Sequence, residues 1–319
     1  MVAHSSDLVC IQEVGMRDGL QSAGQFVTTE DKVRLIDQLS KTGLSKIEVT
    51  SFVSPKAVPL LADAEEVLAA INRQPSVTYS ALIPNRRGLD RALAVELDEV
   101  NLVMSVSEAH NLANLRMTCE QSIEQFREIC NNRGSLRVNG TLATAFGCPF
   151  HGEVTQSTVF EWAHRYLDAG IDSLTLADTI GAATPRQVYD LCSGFAEVFP
   201  SIEITLHLHN TRGLGIANAL SGIAAGIRHL DASIGGIGGC PYAPGATGNV
   251  CTEDLVHALI FDGYRCEVDL EQLLSVSHEL GDLLSDPLPG LVRYAGSKLT
   301  KHPMSEDLRY RMSLVRQKQ

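Results

Sequence analysis

The chain has 319 residues, 44% of them hydrophobic, and a formal net charge of −12 at pH 7. This size and composition predict a large buried core, in one large α/β barrel or in two smaller domains. The acidic balance argues against a nucleic-acid-binding protein, because phosphate neutralisation needs a basic face. Eight scattered cysteines without a Cys-x-x-Cys pair indicate reduced thiols. No stretch resembles a signal peptide or a membrane span, so we expect a cytoplasmic protein without membrane contact.

Short apolar runs alternate with stretches of helical periodicity along most of the chain. Eight of these runs predict strands, and their starts are spaced about 22 to 37 residues apart, the repeat of a βα unit. The strands are predicted to begin near Leu8, Ser45, Val77, Glu99, Leu136, Ser173, Ile202 and His229. Three helix starts are indicated by capping threonines at Thr28, Thr118 and Thr184.

Eight such repeats over about 260 residues favour a (β/α)8 TIM barrel, an α/β fold, over a doubly wound open sheet. We expect the barrel domain to span residues 1–286, with a last helix at residues 268–284. The remaining residues, 287–319, are richer in Lys and Arg. We expect them to form a short helical extension, a tail that packs on or near the barrel.

The seventh predicted strand ends in Leu-His-Leu-His-Asn. Strand side chains alternate between two faces, so His207 and His209 share one face near the strand's carboxyl end. Such a pair is either two hydrogen-bonded histidines or two imidazole ligands of a divalent metal. The choice depends on whether further ligands arrive from other strands.

Polar side chains also follow or interrupt other strands, and a barrel builds its active site at the carboxyl ends of its strands. Asp18 follows the first strand, and we expect it to meet the two histidines. Glu48, Asp178 and Asn249 are expected close by. Two imidazoles, a carboxylate and an amide oxygen suit Mg²⁺ or Mn²⁺ with open positions, and zinc is plausible by ligand count. Arg17 could stabilise the negative charge of an enolate.

The glycine-rich segment, residues 235–249, follows the eighth strand. Its glycines and two prolines give it the composition of a mobile lid over the barrel mouth. Metal ligands and an arginine at the barrel mouth are the groups needed to make or break a carbon–carbon bond next to a carbonyl.

Together these motifs resemble the 3-hydroxy-3-methylglutaryl-CoA (HMG-CoA) lyase family, within the TIM-barrel superfamily of metal-dependent lyases and Claisen-type synthases. The resemblance extends from Val9 to about Leu284. The motifs that carry it are Arg17-Asp18-Gly19-Leu20-Gln21, Glu48-Val49-Thr50-Ser51-Phe52-Val53-Ser54-Pro55-Lys56, Asp178-Thr179-Ile180-Gly181, Gly238-Gly239-Cys240-Pro241-Tyr242-Ala243, Gly248-Asn249 and Thr252-Glu253-Asp254-Leu255-Val256.

The resemblance implies a retro-Claisen cleavage that leaves a keto acid and the enolate of acetyl-CoA. The implied metal ligands are Asp18, His207, His209 and Asn249. The implied catalytic residues are Arg17 for the enolate, Cys240 for proton transfer, and Glu48, Asp178, His207 and Glu253. The residues expected to bind substrate are Arg17, Gln21, Thr175 and Arg212. The base that removes the hydroxyl proton is either His207 or Asp18.

The expected partner is a small-molecule acyl-CoA, with the CoA part implied by the resemblance alone. The family also suggests a homodimer or a higher homo-oligomer. The chain departs from the family pattern at Met16, at Ser22–Ala23 and after the histidine pair, where Asn210 is closer to isopropylmalate and homocitrate synthases. Arg212 and the pair Arg86–Arg87 add cations that would favour an extra or differently placed substrate carboxylate.

Four other functions stay open at this point. A Claisen-type synthase condensing acetyl-CoA with a 2-oxo acid would share the motifs, although Cys240 is a lyase feature. A lyase could also act on a related branched or more carboxylated 3-hydroxyacyl-CoA. A Schiff-base aldolase needs a buried strand lysine, and neither Lys46 nor Lys56 is predicted clearly inside a strand. A non-catalytic barrel would be expected to have lost some of the site residues.

Overall fold

Eight parallel β-strands close into a barrel in the computed structural model, which describes residues 8–239, 248–298, 300–301 and 303–316. Each strand pairs with the next along the chain, and β8 pairs with β1. The strands are β1 Cys10–Glu13, β2 Lys46–Ser51, β3 Thr78–Leu82, β4 Glu99–Ser105, β5 Arg137–Ala143, β6 Ser173–Asp178, β7 Glu203–Leu208 and β8 His229–Ala232. The predicted TIM barrel is therefore confirmed, and each predicted strand start lies within two residues of the observed one.

Helices lie between the strands and cover the outside of the barrel. They are α1 Thr29–Leu39, α2 Ala64–Ala70, α3 Arg86–Leu93, α4 Glu108–Leu115, α5 Cys119–Asn132, α6 Gln156–Asp168, α7 Pro185–Val198, α8 Gly215–Ala224, α9 Thr252–Asp262, α10 Leu270–Leu283, α11 Val292–Ala295 and α12 Glu306–Arg316. The predicted caps are confirmed, because the side chains of Thr28, Thr118 and Thr184 each accept a backbone N–H at the start of a helix. None of the described helices is long and apolar enough to cross a lipid bilayer.

The two faces of the strands differ sharply in polarity. On β6, Leu174 and Leu176 are fully buried in the apolar core between the strands and the helices. The alternate residues, Thr175 and Ala177, face the cavity inside the barrel, as does Asn139 of β5. Burial of the outward leucines against the helices stabilises the fold, while the inward face is left to polar side chains that can meet a ligand.

Lys46 lies inside β2, which corrects the expectation from sequence that it falls outside a strand. It is the first residue of that strand, at the end of the barrel opposite the carboxyl ends. Its Nζ lies 2.6 Å from Oε1 of Glu99, and both residues are buried. A Schiff base needs an uncharged and accessible amine, so an ammonium held in a buried ion pair is poorly placed for that chemistry.

The last predicted helix is confirmed as α10, and the chain continues into α11 and α12. Leu288 is buried, and the N–H groups of Leu291 and Val292 bond the carboxylate of Asp254 in α9. The side chains described in α12 are exposed. A helical extension therefore follows the barrel, while the division into domains at residues 286 and 287 stays a prediction.

Candidate active site

Asp18, His207 and His209 meet at the carboxyl end of the barrel, where one possible ligand atom from each lies within 4.8 Å of the others. His207 lies on β7 and His209 directly after its last residue, with their Nε2 atoms 3.3 Å apart. Asp18 lies in the helical turn Gly15–Gly19 directly after β1. An isolated bridge pairs His209 with Asn249, whose Nδ2 donates to Oδ2 of Asp18 at 2.7 Å. The fold thus brings the four predicted ligands together.

This cluster has the chemistry of a divalent-metal site. Two imidazole nitrogens that face each other at 3.3 Å need a shared proton or a cation between them. Oδ1 of Asn249 is buried and has no hydrogen-bond partner among the described residues, so a carbonyl oxygen remains available as a ligand. Imidazole, carboxylate and amide oxygen together are ligands that a divalent cation accepts.

Asp18 is prepared to serve as an anionic ligand. Burial alone would raise the pKa of its carboxyl, but Arg17, His207, His209 and the hydrogen bond from Asn249 outweigh burial and lower that pKa to about 2. Oδ1 of Asp18 accepts from Nη1 of Arg17 at 2.7 Å and from Nε2 of Gln21 at 2.9 Å. The carboxylate is therefore ionised at neutral pH.

Arg17 is fixed in place by Glu48. Its Nε donates to Oε2 of Glu48 at 2.5 Å, and Oε1 of Glu48 accepts from Nδ2 of Asn101 at 2.6 Å. Glu48 is a buried acid inside an apolar strand, and its ion pair with Arg17 compensates the cost of burying its charge. Its carboxylate neutralises and orients the guanidinium beside the metal cluster.

The cluster opens into a cavity of about 1050 Å³ inside the barrel. This cavity is at the upper end of the size range of small-molecule sites. Its described charged lining residues are Glu13, Arg17, Asp18, Lys46, Glu48 and Asp231, all on β1, β2 and β8 or in the turn after β1. The described lining between Val53 and Thr179 contains no Asp, Glu, Lys or Arg. The cavity therefore has a charged half at the metal cluster and an uncharged half across from it.

Two predicted substrate-binding residues, Gln21 and Thr175, line this cavity, whereas Asp178 and Arg212 are not among its described lining residues. Asp178 accepts the N–H groups of Ala182 and Ala183, so it shapes the loop after β6. Arg212 is exposed, and its Nη1 donates to two carbonyl groups of that same loop, at 2.8 and 3.0 Å. The guanidinium therefore ties the loops after β6 and β7 together, and its contact with a substrate carboxylate stays a prediction.

Glu253 lies outside the cavity that most of the other predicted site residues line. Glu253 is fully buried in α9, where it accepts from the N–H of Gly235 at 2.8 Å and from Sγ of Cys251 at 3.1 Å. It is not among the described lining residues of the cavity. Cys240, the predicted proton-transfer residue, lies outside the described residues, so its role stays a prediction.

The family model described as HMGL-like matches residues 9–280 of the chain. The chain belongs to the HMGL-like family. It is 43% identical over 283 residues to the hydroxymethylglutaryl-CoA lyase YngG of Bacillus subtilis, which covers 88% of this chain and 95% of that relative. It is 39% identical over 302 residues to an (R)-citramalyl-CoA lyase of Chloroflexus aurantiacus, with 91% and 95% covered.

A solved HMG-CoA lyase structure from Acinetobacter baumannii, in complex with coenzyme A and 3-methylmalate, is 47% identical to the chain. It superposes with a TM-score of 0.91 over 96% of this chain and 100% of that one. These comparisons confirm the predicted family and the predicted class of enzyme, a carbon–carbon lyase.

Asp231 of this HMGL-like protein is a site residue that the sequence reasoning missed. Its Oδ2 lies 3.0 Å from Nδ1 of His207. Burial alone would lower the pKa of His207, but Asp231 and, to a smaller extent, Asp18 outweigh burial, and the pKa is raised. The signal was present in the sequence, because an acid in the run His229–Ala232 is as costly to bury as Glu48 in β2. A carboxylate behind a ligand histidine fixes its tautomer and its orientation.

We expect Asp231→Ala to weaken the binding of Mn²⁺ by about 10- to 100-fold, because His207 loses the acceptor that orients its ring. Asp231→Asn keeps an oxygen acceptor for Nδ1 and is expected to lose less. Titration calorimetry of the purified variants with Mn²⁺ measures both. Equal affinity for wild type and Asp231→Ala would show that this carboxylate does not support the site.

Proposed function

We propose that this protein is a divalent-metal-dependent acyl-CoA lyase that cleaves a 3-hydroxy-3-methylglutaryl-CoA-like thioester to acetyl-CoA and a keto acid. For the methylglutaryl substrate the keto acid is acetoacetate. The observation that carries the proposal is the cluster of Asp18, His207, His209 and Asn249, with Arg17 beside it, at the mouth of a large cavity. Relatives named HMG-CoA lyase support this substrate. The citramalyl-CoA lyase relative supports a related 3-hydroxyacyl-CoA as the second candidate.

The four clustered side chains would hold the metal, and we propose Mg²⁺ or Mn²⁺ because two of the four ligands are hard oxygens. When bound, such an ion supplies Lewis-acid polarisation of the substrate's oxygens. Nδ1 of His207 faces Asp231, which leaves Nε2 directed toward the cluster. The protein therefore presents preoriented ligands at the cavity wall.

The remaining chemistry falls to the chain's own residues. Cleavage requires removal of the proton from the C3 hydroxyl, and His207 and Asp18 are the two groups of the cluster that can accept it. The C2–C3 bond then breaks, and its electron pair passes into the thioester enolate. Arg17, held by Glu48, places a fixed positive charge beside the cluster, where it stabilises the enolate oxygen. We assign protonation of the enolate carbon to Cys240, on the basis of the family resemblance.

The division of the cavity orients the proposed substrate. The hydroxyl and carboxylate end belongs in the charged half, next to the metal cluster. The thioester carbonyl belongs beside Arg17, and the pantetheine arm, which carries no charge, belongs along the uncharged half, where Leu82, Val103 and Met117 line the wall. A cytoplasmic location and a homodimer or higher homo-oligomer also remain proposals.

The test is mass spectrometry of the products after incubation with HMG-CoA and either Mg²⁺ or Mn²⁺, with Asp18→Ala as the control. Acetyl-CoA and acetoacetate from the wild type alone are the expected result. Citramalyl-CoA serves as the competing substrate in a parallel reaction. Preferential cleavage of citramalyl-CoA would move the assignment to the second candidate, and no cleavage of either thioester would overturn the proposal.

A further inference from the structure

We infer that Glu13 is a positioning residue that holds the turn after β1 and the chain next to α9, which carry ligands of the candidate metal site, in register. The inference rests on the proposed function only for the reaction that the site catalyses. Its test measures metal binding and needs no substrate. Glu13 is the last residue of β1 and is fully buried. Glu13 is neither in the motifs that carry the family resemblance nor among the predicted site residues.

The Glu13 carboxylate accepts three hydrogen bonds from three parts of the chain. Oε1 accepts the backbone N–H of Gly15 at 2.7 Å and that of Ile234 at 2.8 Å. Oε2 accepts the hydroxyl of Thr252 at 2.7 Å. No salt bridge to Glu13 occurs within the described part of the chain, so these donors alone compensate its burial.

Each of these donors lies next to site residues in the chain. Gly15 opens the turn that carries Arg17 and Asp18. Ile234 stands immediately before the glycine-rich segment. Thr252 is the first residue of α9, three residues after Asn249. One carboxylate therefore joins the segment that supplies the carboxylate ligand to the segment that supplies the amide ligand, across 239 positions of the chain.

Close packing around Glu13 leaves little freedom in this arrangement. A Cβ atom added at Gly15 would lie 2.6 Å from Oε1 of Glu13, so only glycine lets the turn approach the carboxylate this closely. The next N–H, that of Gly235, is accepted by Glu253. Two consecutive N–H groups at the root of the glycine-rich segment thus end on two buried carboxylates, from β1 and from α9.

Metal ligands must be held to within a fraction of an ångström by the groups behind them. Asp18 and Asn249 already bond each other at 2.7 Å, and that contact depends on the relative position of the turn after β1 and the chain before α9. Glu13 sets this position through Gly15 and Thr252. Loss of its oxygens should therefore separate the ligands even where the barrel still folds.

The experiment compares Mn²⁺ affinity, by titration calorimetry, with the thermal midpoint of unfolding for three variants. Glu13→Leu removes the acceptors and is expected to weaken Mn²⁺ binding by about 10- to 100-fold. Glu13→Gln keeps an oxygen that can accept from Gly15 and Ile234. Its amide nitrogen, in place of Oε2, can donate to Oγ1 of Thr252, so the link to α9 is kept. We expect near-wild-type affinity from it.

Asp63→Leu is the matched control. Asp63 is also buried and accepts from Nζ of Lys32 at 2.6 Å and from Oγ1 of Thr29 at 2.8 Å, outside the barrel. The Asp63→Leu substitution should lower the thermal midpoint of unfolding while leaving Mn²⁺ affinity unchanged. Should Glu13→Leu not fold, Glu13→Asp replaces it, because the shorter side chain withdraws its oxygens from the same donors.

Unchanged Mn²⁺ affinity in the folded Glu13→Leu or Glu13→Asp protein would overturn the inference. So would an equal loss in Asp63→Leu, because affinity would then simply follow stability. Failure of the wild type to cleave HMG-CoA would count against the proposed function alone, since Mn²⁺ binding is measured without substrate.

Discussion

Replacement of Arg17 by methionine is expected to lower kcat by about 10²- to 10³-fold, with a much smaller change in KM. This is the range found when one fixed donor to a developing oxyanion is removed. Arg17 is the cation beside the cluster, held by Glu48 at 2.5 Å and by Asp18 at 2.7 Å. Steady-state kinetics with the thioester that the wild type cleaves provide the measurement.

The same substitution leaves the buried carboxylate of Glu48 without its cation, which could itself disturb the site. The double variant Arg17→Met/Glu48→Gln removes that unpaired charge while Asn101 can still donate to the amide oxygen. We expect the double variant to regain stability but not kcat. Recovery of kcat in the double variant would mean that Arg17 serves the fold and not the enolate.

His209→Ala is expected to reduce activity by at least about 10³-fold, the scale of the several kcal/mol that a catalytic metal contributes. Burial, with a further contribution from His207, lowers the pKa of His209 to about 4, so the imidazole is neutral at pH 7 and its lone pair is free for a cation. Activity assays across a range of Mn²⁺ concentrations measure the effect. Maximal activity of His209→Ala equal to that of the wild type at saturating Mn²⁺ would contradict this expectation.

His164→Ala is the matched control for the loss of an imidazole. His164 is exposed on α6 and contacts the ring of Phe199, away from the barrel mouth. Chelation of metal from the wild type should reproduce the defect of His209→Ala, and added Mn²⁺ should reverse it in the wild type and in His164→Ala. A wild type that works at full rate after chelation would exclude a required metal.

The barrel and the metal cluster were predictable because each depends on a short-range pattern. Alternation along β7 places His207 and His209 on one face whatever surrounds them. The rule that parallel strands end at one rim then brings Asp18 to the same place. Such inferences need only the positions of the strands, and the spacing of the apolar runs predicts these positions.

The directions of side chains in the loops were not predictable in the same way. Arg212 follows a strand end, as Asp18 does, yet it turns to the carbonyl groups of the neighbouring loop. Glu253 turns to the backbone of Gly235. The direction of each side chain depends on which backbone groups of other segments lack a hydrogen-bond partner, and only the assembled fold determines that. Asp231 is a different case, because an acid inside a short strand is a signal in the sequence, and the structure adds only its pairing with His207 across β7 and β8.

The polarity of the two strand faces bears on how this protein could change its substrate. Leu174 and Leu176 of β6 belong to the packed core, where altered volume costs stability. Their neighbour Thr175 and the adjacent Asn139 face a cavity and are hydrogen-bonded to each other, so exchanges that keep this pair satisfied alter the shape of the binding site with little effect on the packed core. Selection for a new acyl group can therefore act on one face while the other keeps the protein folded. A mutant library confined to inward positions should retain far more soluble members than one confined to the outward positions of the same strands.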